Sequence, residues 1–409
     1  MATSALPFLV LLAGIVVLAG LRPSPRRTPD ELSYTLFSAV VRERGAGQIA
    51  ELVRQYNAHP ELADSPSPTR VGHVWIGATV MRITGSITLE NLILASTLAA
   101  VLSLALVCGI GLSTLGPWVA AIATLFLATS PLALAVARRG WGDGIIGLMA
   151  LAMVWAVIQS ARRPAARRWP LLFFAFAWYG ILVKETGLVL LALGTLALAI
   201  LAWRRSRGVM APAVMLGGGV VALLISVAVL AATCGGLAPL RATLARTAAA
   251  AATNDFMRTY QTGSPLYYAI GLAVSDPVPF ALGYLGAILV ALGVPFVRRS
   301  WSEDHRWAAL TMLAWFVILV TLLACSWPQK NLRFLSVIYG AVDLLAAAFV
   351  WCALAALRSR LSPKLFRITA GLTAGLLVFS AWRSLLRFDE LFVRRDILDL
   401  VTPWLTGQR

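Results

Sequence analysis

Residues 6–34 read LPFLVLLAGIVVLAGLRPSPRRTPDELSY, an apolar run followed at once by basic residues and then by two adjacent carboxylates, Asp30 and Glu31. Leu6 to Leu21 is about long enough to cross some 30 Å of hydrocarbon as a helix. No basic n-region precedes it, and Ala13-Gly14 makes a poor cleavage site, so it reads as a retained first span. A second helix starts just beyond it. Thr28-Pro29-Asp30-Glu31 fits a capping box, with Thr28 as N-cap, Pro29 at the first helical position and Glu31 reaching back.

The rest of the chain agrees with a membrane setting. Of 409 residues, 59% are hydrophobic and 13% charged, and the mean hydropathy of +0.80 lies outside the range of soluble domains. Apolar runs of roughly 17 to 25 residues recur to the C-terminus, with no alternating barrel pattern. The fold class expected is therefore all-α: a polytopic helical bundle of about eleven spans, with amphipathic juxtamembrane helices in the first outer loop. After the first span these fall near 90–112, 117–137, 144–160, 170–183, 187–203, 209–233, 278–297, 307–325, 334–356 and 367–384. Residues 1–384 read as one transmembrane domain that includes the loop 22–89, and 385–409 as a short amphipathic tail. No internal repeat is visible, which weighs against transporters built from inverted halves.

The net charge of +17 does not signal nucleic acid, because the arginines sit in short loops between apolar runs. Anionic membrane lipids are the partners such loops fit. Placing Arg162-Arg163, Arg204-Arg205, Arg298-Arg299 and Arg358-Arg360 inside puts nearly every carboxylate on the opposite, outer face. Residues 22–89, Arg138 to Asp143, Lys184-Glu185, 234–277 and Trp327 to Arg333 then share one side. Four cysteines show no metal spacing; Cys108 and Cys352 read as packing residues, while Cys234 and Cys325 lie near span ends where a disulfide can form.

Within that outer set, Asp143 in Arg138-Arg139-Gly140-Trp141-Gly142-Asp143-Gly144 reads either as an N-cap opposite a snorkelling arginine pair or as a second acid aimed at the pocket of Asp30. Lys184-Glu185 interrupts the run Leu171 to Leu201, which is too long for one span and right for two short ones. The pair is either a self-neutralising turn or a cation placed for a phosphate at the membrane surface. Trp327-Pro328-Gln329-Lys330-Asn331-Leu332-Arg333 suits a lipid-borne phosphate, or ordinary interfacial anchoring. Asn254-Asp255 and Tyr267-Tyr268 are weaker sugar-site candidates. His73 reads as a packing or interfacial residue, with no second histidine near it. Asp343 sits inside a span, where it can simply bond to a neighbouring helix. There is no Walker A loop, dinucleotide glycine motif, HExxH or EF-hand loop.

Taken in order, these segments resemble the GT-C-fold glycosyltransferases that use polyprenyl-phosphate-linked sugars, a class containing protein mannosyltransferases and the aminoarabinose transferase of lipid A. Asp30-Glu31 resembles its first acidic motif, Arg138 to Asp143 its second, Lys184-Glu185 its lysine-bearing turn and Lys330 to Arg333 its late basic loop. The resemblance runs from about residue 8 to 350. Where many members have His-Pro-Pro-Leu, this chain has Ser67-Pro68-Thr69-Arg70-Val71-Gly72-His73.

The resemblance implies inverting transfer of a hexosyl or pentosyl group from a polyprenyl-phosphate donor to a hydroxyl on a lipid, glycan or protein. It places the reaction on the extracytoplasmic face of a bacterial inner membrane. Its catalytic residues would be Asp30, Glu31 and Asp143, with Asp30 as base. Arg138, Arg139, Lys184, Glu185, Lys330, Arg333 and Tyr34 would contact substrate. The resemblance makes no cofactor certain; a divalent ion is possible, and Asp30 with Asp143 could hold it. The alternatives are a lipid or solute transporter or flippase, whose ionisable groups would line the membrane midplane, and an O-antigen ligase-like enzyme.

Overall fold

A computed structural model describes residues 2–59, 62, 65–253, 263–294, 304–327 and 329–395. They form an all-helical, multi-pass membrane protein. Seven described helices are long and apolar enough to cross a membrane, or eight if one bent pair counts as a single span. The expected count of eleven is reached only if the shorter apolar helices Ala5–Ala19, Arg168–Val183 and Pro277–Ala291 also cross.

The bent pair corrects one expectation. Residues 117–137, read as a continuous span, are Pro117–Thr129 and Pro131–Ala137, meeting at 60°. Pro131 has no N–H and disfavours helical backbone in the residue before it, so Ser130 is extended, with ψ at 118°. The span expected from 334 likewise begins later, at Tyr339, after a short 3-10 turn over Leu332–Val337.

The chain folds into two compact units. One comprises Met1–Leu21, Ala100–Ala135 and Gly263–Arg409, as far as these are described; the other comprises Arg22–Ala99 and Val136–Thr262. In the first, Tyr339–Arg358 packs against both Pro277–Ala291 and Pro117–Thr129, and Ala2–Ala19 packs against Pro117–Thr129. In the second, Asp143–Arg162 packs on Arg168–Val183, which also receives Val71–Thr84 and Thr186–Ser206. Met210–Thr233 turns Val220 and Leu224 outward, an apolar surface that suits lipid rather than water.

The segment after the first helix forms the helices Pro29–Arg44, Ile49–Ala58 and Val71–Thr84. Each buries one face: Tyr34, Ser38 and Val41 in the first, Ile49, Val53 and Tyr56 in the second, at spacings of three and four residues. Most of these side chains join Val71, Val74, Met81, Leu92, Leu182 and Cys234 in one apolar core. All four cysteines are free thiols, so Cys234 and Cys325 do not pair. Asn254 and Asp255 lie outside the described residues. The tail helix Pro363–Phe388 continues into Asp389–Arg394, where Arg394 pairs with Asp389 and Arg395 with Glu390 at the surface.

Candidate active site

The capping box is present. The Thr28 hydroxyl accepts from the Glu31 N–H, while the Glu31 carboxylate accepts from the Thr28 N–H at 2.9 Å and the Thr28 hydroxyl at 3.0 Å. The same carboxylate also accepts from Arg139 Nη1 at 3.3 Å and the Gly140 N–H at 2.9 Å. Glu31 is only 1% exposed, so its carboxylate oxygens depend on these four donors rather than on water for hydrogen bonds. Trp141 Nε1 donates to the Thr28 hydroxyl at 3.3 Å, and the Arg139 guanidinium lies 5.3 Å from the Trp141 ring centre.

This geometry changes the reading of the arginine pair. Both side chains are buried rather than snorkelling. Arg138 Nη2 donates to the Pro23 carbonyl at 3.1 Å, and Arg139 Nη1 donates to the Arg26 carbonyl as well as to Glu31. The two guanidiniums thus fasten the loop after the first span to the 138–143 turn. Gly140 permits the close approach: a Cβ there would lie 2.9 Å from Leu89 Cδ1 and 3.1 Å from Leu92 Cβ.

Asp143 is not an N-cap; Gly142 holds that position, and Asp143 opens the helix Asp143–Arg162. Its carboxylate takes Lys184 Nζ at 2.5 Å, with both side chains less than a tenth exposed. Lys184-Glu185 is therefore no self-neutralising turn. Lys184 closes Arg168–Val183 and pairs with Asp143, whereas Glu185 starts Thr186–Ser206 and pairs with Arg70. Each charge also suits its helix end, anion at an N-terminus and cation at a C-terminus. The turn is tight because Gly187 allows backbone contact: a Cβ on it would sit 2.5 Å from Gly180 C and Ile181 N.

Arg70 links the parts. Its Nε and Nη2 donate to the Glu185 carboxylate at 3.1–3.3 Å and its Nη1 to the Tyr34 hydroxyl at 3.0 Å. Burial works to raise the Glu185 carboxyl, but the Arg70 charge and hydrogen bonds outweigh it and hold the group below the ordinary carboxylate range. Burial also pushes the Tyr34 phenol well above its usual range, so it stays protonated. Tyr34 stands edge-on to His73, with ring centres 4.8 Å apart.

His73 is completely buried. Its Nε2 lies 3.2 Å from the Gly140 carbonyl, which can only accept, so Nε2 carries the proton, leaving Nδ1 buried with no hydrogen-bond partner among the described residues. Burial lowers its pKa to about 4, with Asp143 and Asp30 among the charges that act on it. The ring is a neutral imidazole at the meeting point of the two acidic segments.

Asp30, half-buried beside Glu31, thus shares one cluster with Tyr34, Asp143, Lys184 and Glu185, together with Arg70 and His73, which sequence reasoning did not put forward. The available signal was position: both fall in the stretch standing where related proteins have His-Pro-Pro-Leu. Lys330 and Arg333 belong to the other unit. There Lys330 is buried; its ammonium donates to the carbonyls of Ala324 at 3.0 Å, Cys325 at 2.7 Å and Trp327, closing the helix Asp304–Ser326. It also lies 5.8 Å from the Tyr268 ring centre. Tyr267 and Tyr268 are buried in that unit's core.

A family model for dolichyl-phosphate-mannose protein mannosyltransferases matches residues 66–231, less than half of the chain. Among solved structures, ArnT from Cupriavidus metallidurans bound to undecaprenyl phosphate aligns at 17% identity over 98% of this chain and 74% of its own, with a TM-score of 0.50. The Archaeoglobus fulgidus oligosaccharyltransferase in complex with Zn and sulfate aligns at 14% identity over 94% of this chain, with a TM-score of 0.59. AglB from the same organism, with an inhibitory peptide and a dolichol-phosphate, gives 14% and 0.54 over 95% of this chain. The fold is GT-C. This GT-C chain spans 53–56% of the archaeal proteins and 64% of ArnT in its apo form. Comparison with curated protein sequences gave no match.

Proposed function

We propose that the protein is a membrane glycosyltransferase that moves a sugar from a polyprenyl-phosphate carrier to a hydroxyl acceptor on the extracytoplasmic face, with inversion. One observation carries this: segments 28–34, 70–73, 138–143 and 184–185, far apart in sequence, meet in one polar cluster within a GT-C fold. The bacterial inner membrane is the setting that fits its short, arginine-rich loops.

In the reaction, an acceptor oxygen attacks the anomeric carbon as the bond from that carbon to the phosphate oxygen breaks. Asp30 takes the acceptor's proton, and the polyprenyl phosphate leaves with the electron pair. Negative charge grows on that phosphate, and Lys184 and Arg70 are the cations of this cluster suited to meet it. Glu31, with its carboxylate committed to Thr28, Arg139 and Gly140, is a positioning residue that sets the helix carrying Asp30. Arg138 and Arg139 act with it, not on substrate. Asp143 holds Lys184 in place, and neutral His73 spaces the two acidic segments.

The residues do not fit a divalent ion well. Asp143 is bound to Lys184, and the described residues contain no group of three or more His, Cys, Asp or Glu side chains able to hold a metal.

Asp30→Asn tests the proposal, because it keeps the helix start and removes the base. The protein, purified in lipid nanodiscs, is assayed with a polyprenyl-phosphate sugar and a hydroxyl acceptor. Transfer should fall by about two to four powers of ten with unchanged thermal stability. Wild-type transfer by the variant removes Asp30 from the role.

A further inference from the structure

Two carboxylates outside the proposed active site lie buried together in the unit that contains residues 263–395. Asp276 stands between the helices Tyr267–Ser275 and Pro277–Ala291, and Asp343 lies one turn into Tyr339–Arg358. Both line a cavity of about 20 Å³ with Ser130, Tyr339 and apolar side chains. That is room for one water-sized occupant.

The cavity sits where two helices break. Pro117–Thr129 ends at Ser130 before Pro131, and Tyr267–Ser275 ends at Asp276 before Pro277. Each proline lacks the N–H that would have continued the ladder, so each break leaves one backbone donor fewer for the carbonyls of the turn before it, the end of a helix that carries partial negative charge. Asp276 accepts from the Ser384 hydroxyl at 3.4 Å and from the Ser130 hydroxyl. Asp343 is 3% exposed, and its Oδ2 has no hydrogen-bond partner among the described residues. The Asp276 charge acts on Asp343, and among the described residues Arg387 is the one cation acting on Asp276.

With both carboxyls ionised, two carboxylates against one guanidinium would leave a single negative charge in a place where an uncompensated one is costly, so the site needs either a shared proton or a bound cation. We propose that this cavity binds one unhydrated monovalent cation, Na⁺, ligated by the carboxylates of Asp276 and Asp343 and the hydroxyl of Ser130. Oxygen-only donors suit a hard cation, and broken helices with exposed carbonyls are a known way to hold one in a membrane protein. A divalent ion would overcompensate the charge. The reaction proposed above uses none of these residues, so the two proposals stand separately.

The test uses the full-length protein in nanodiscs at fixed pH and ionic strength, with NaCl exchanged for choline chloride. Na⁺ should raise the thermal midpoint in a saturable, one-site manner, favouring the folded state about 100-fold at 100 times its Kd. Radioactive ²²Na⁺ should bind at one per chain and be displaced by unlabelled Na⁺. Asp276→Asn and Asp343→Asn should abolish both effects and be at least as stable as wild type in choline. The proposal fails if Na⁺ and choline give the same midpoint, if both variants keep the Na⁺ response, or if ²²Na⁺ does not bind. A stability that changes with pH identically in the two salts also overturns it, since the pair then holds a shared proton.

Discussion

Glu31→Gln is the most discriminating change to the first acidic segment. It keeps the volume and removes the charge. Four donors meet this side chain: the Thr28 N–H, the Thr28 hydroxyl and Arg139 Nη1 at Oε2, and the Gly140 N–H at Oε1. A glutamine can place its carbonyl oxygen at the first set, but its NH₂ then faces the Gly140 N–H. That leaves a buried donor without an acceptor, at about 1–3 kcal/mol, and removes the countercharge of the buried Arg139 guanidinium. A loss of about 3–5 kcal/mol is expected, the range for breaking a buried ion pair from one side. It corresponds to about two to three and a half powers of ten in the folding equilibrium. Chemical denaturation in mixed micelles reads this directly. Arg139→Met should cost a similar amount, and the double variant should be more stable than the sum of the two losses implies by at least about 1 kcal/mol. A single loss under about 1 kcal/mol, or strict additivity, refutes the assignment of Glu31 as the buried anchor of this loop.

The same cluster yields further expected outcomes. Lys184→Met and Asp143→Asn should each destabilise by about 3–5 kcal/mol, with the double variant recovering part of the loss in the same denaturation assay. Gly187→Ala should cost about 1–3 kcal/mol, because its Cβ would press into the facing backbone, and should lower transfer by displacing Lys184. The His73 pKa is depressed from 6.5 to about 4, so the unfolded chain binds the extra proton first. Stability should therefore fall as pH drops from 6.5 to 4, by about 3 kcal/mol in all; His73→Gln should flatten that part of the midpoint–pH curve. The Glu185 carboxyl is held low by Arg70, so its contribution is present above the ordinary carboxylate range and is lost only as pH falls below it; Glu185→Gln should remove that acid limb.

Local features of the chain were legible in its sequence. Thr28-Pro29-Asp30-Glu31 spelled a capping box, and the structure has one. The run around Lys184-Glu185 was too long for one helix, and it is two. Partner choice was not legible, because it is decided by residues distant in sequence: Glu31 needs Arg139, Lys184 needs Asp143 and Glu185 needs Arg70. The alternative in which Lys184 and Glu185 neutralise each other as neighbours is a local answer to a non-local question. Lys330 shows the same limit, since a cation that looks available in a short loop is taken up by the unpaired carbonyls of the helix before it. Ser130-Pro131 did carry a local signal for a break, one that the continuous apolar pattern around it masked.

The bond from Glu31 to Gly140 joins groups 109 positions apart. A ribosome working at roughly 5–20 residues per second takes about 5–20 s to make that length of chain. During that interval the helix that presents Asp30 has its cap but not its anchor, and the Glu31 carboxylate has only Thr28 to lean on. The segment that carries Thr28 to Tyr34 is thus the earliest part of the cluster to be made and among the last to be fixed. Its exposure to proteases and chaperones is set by the arrival of the 138–143 turn, and a substitution at Gly140 would lengthen that exposure without replacing any charged side chain of the cluster.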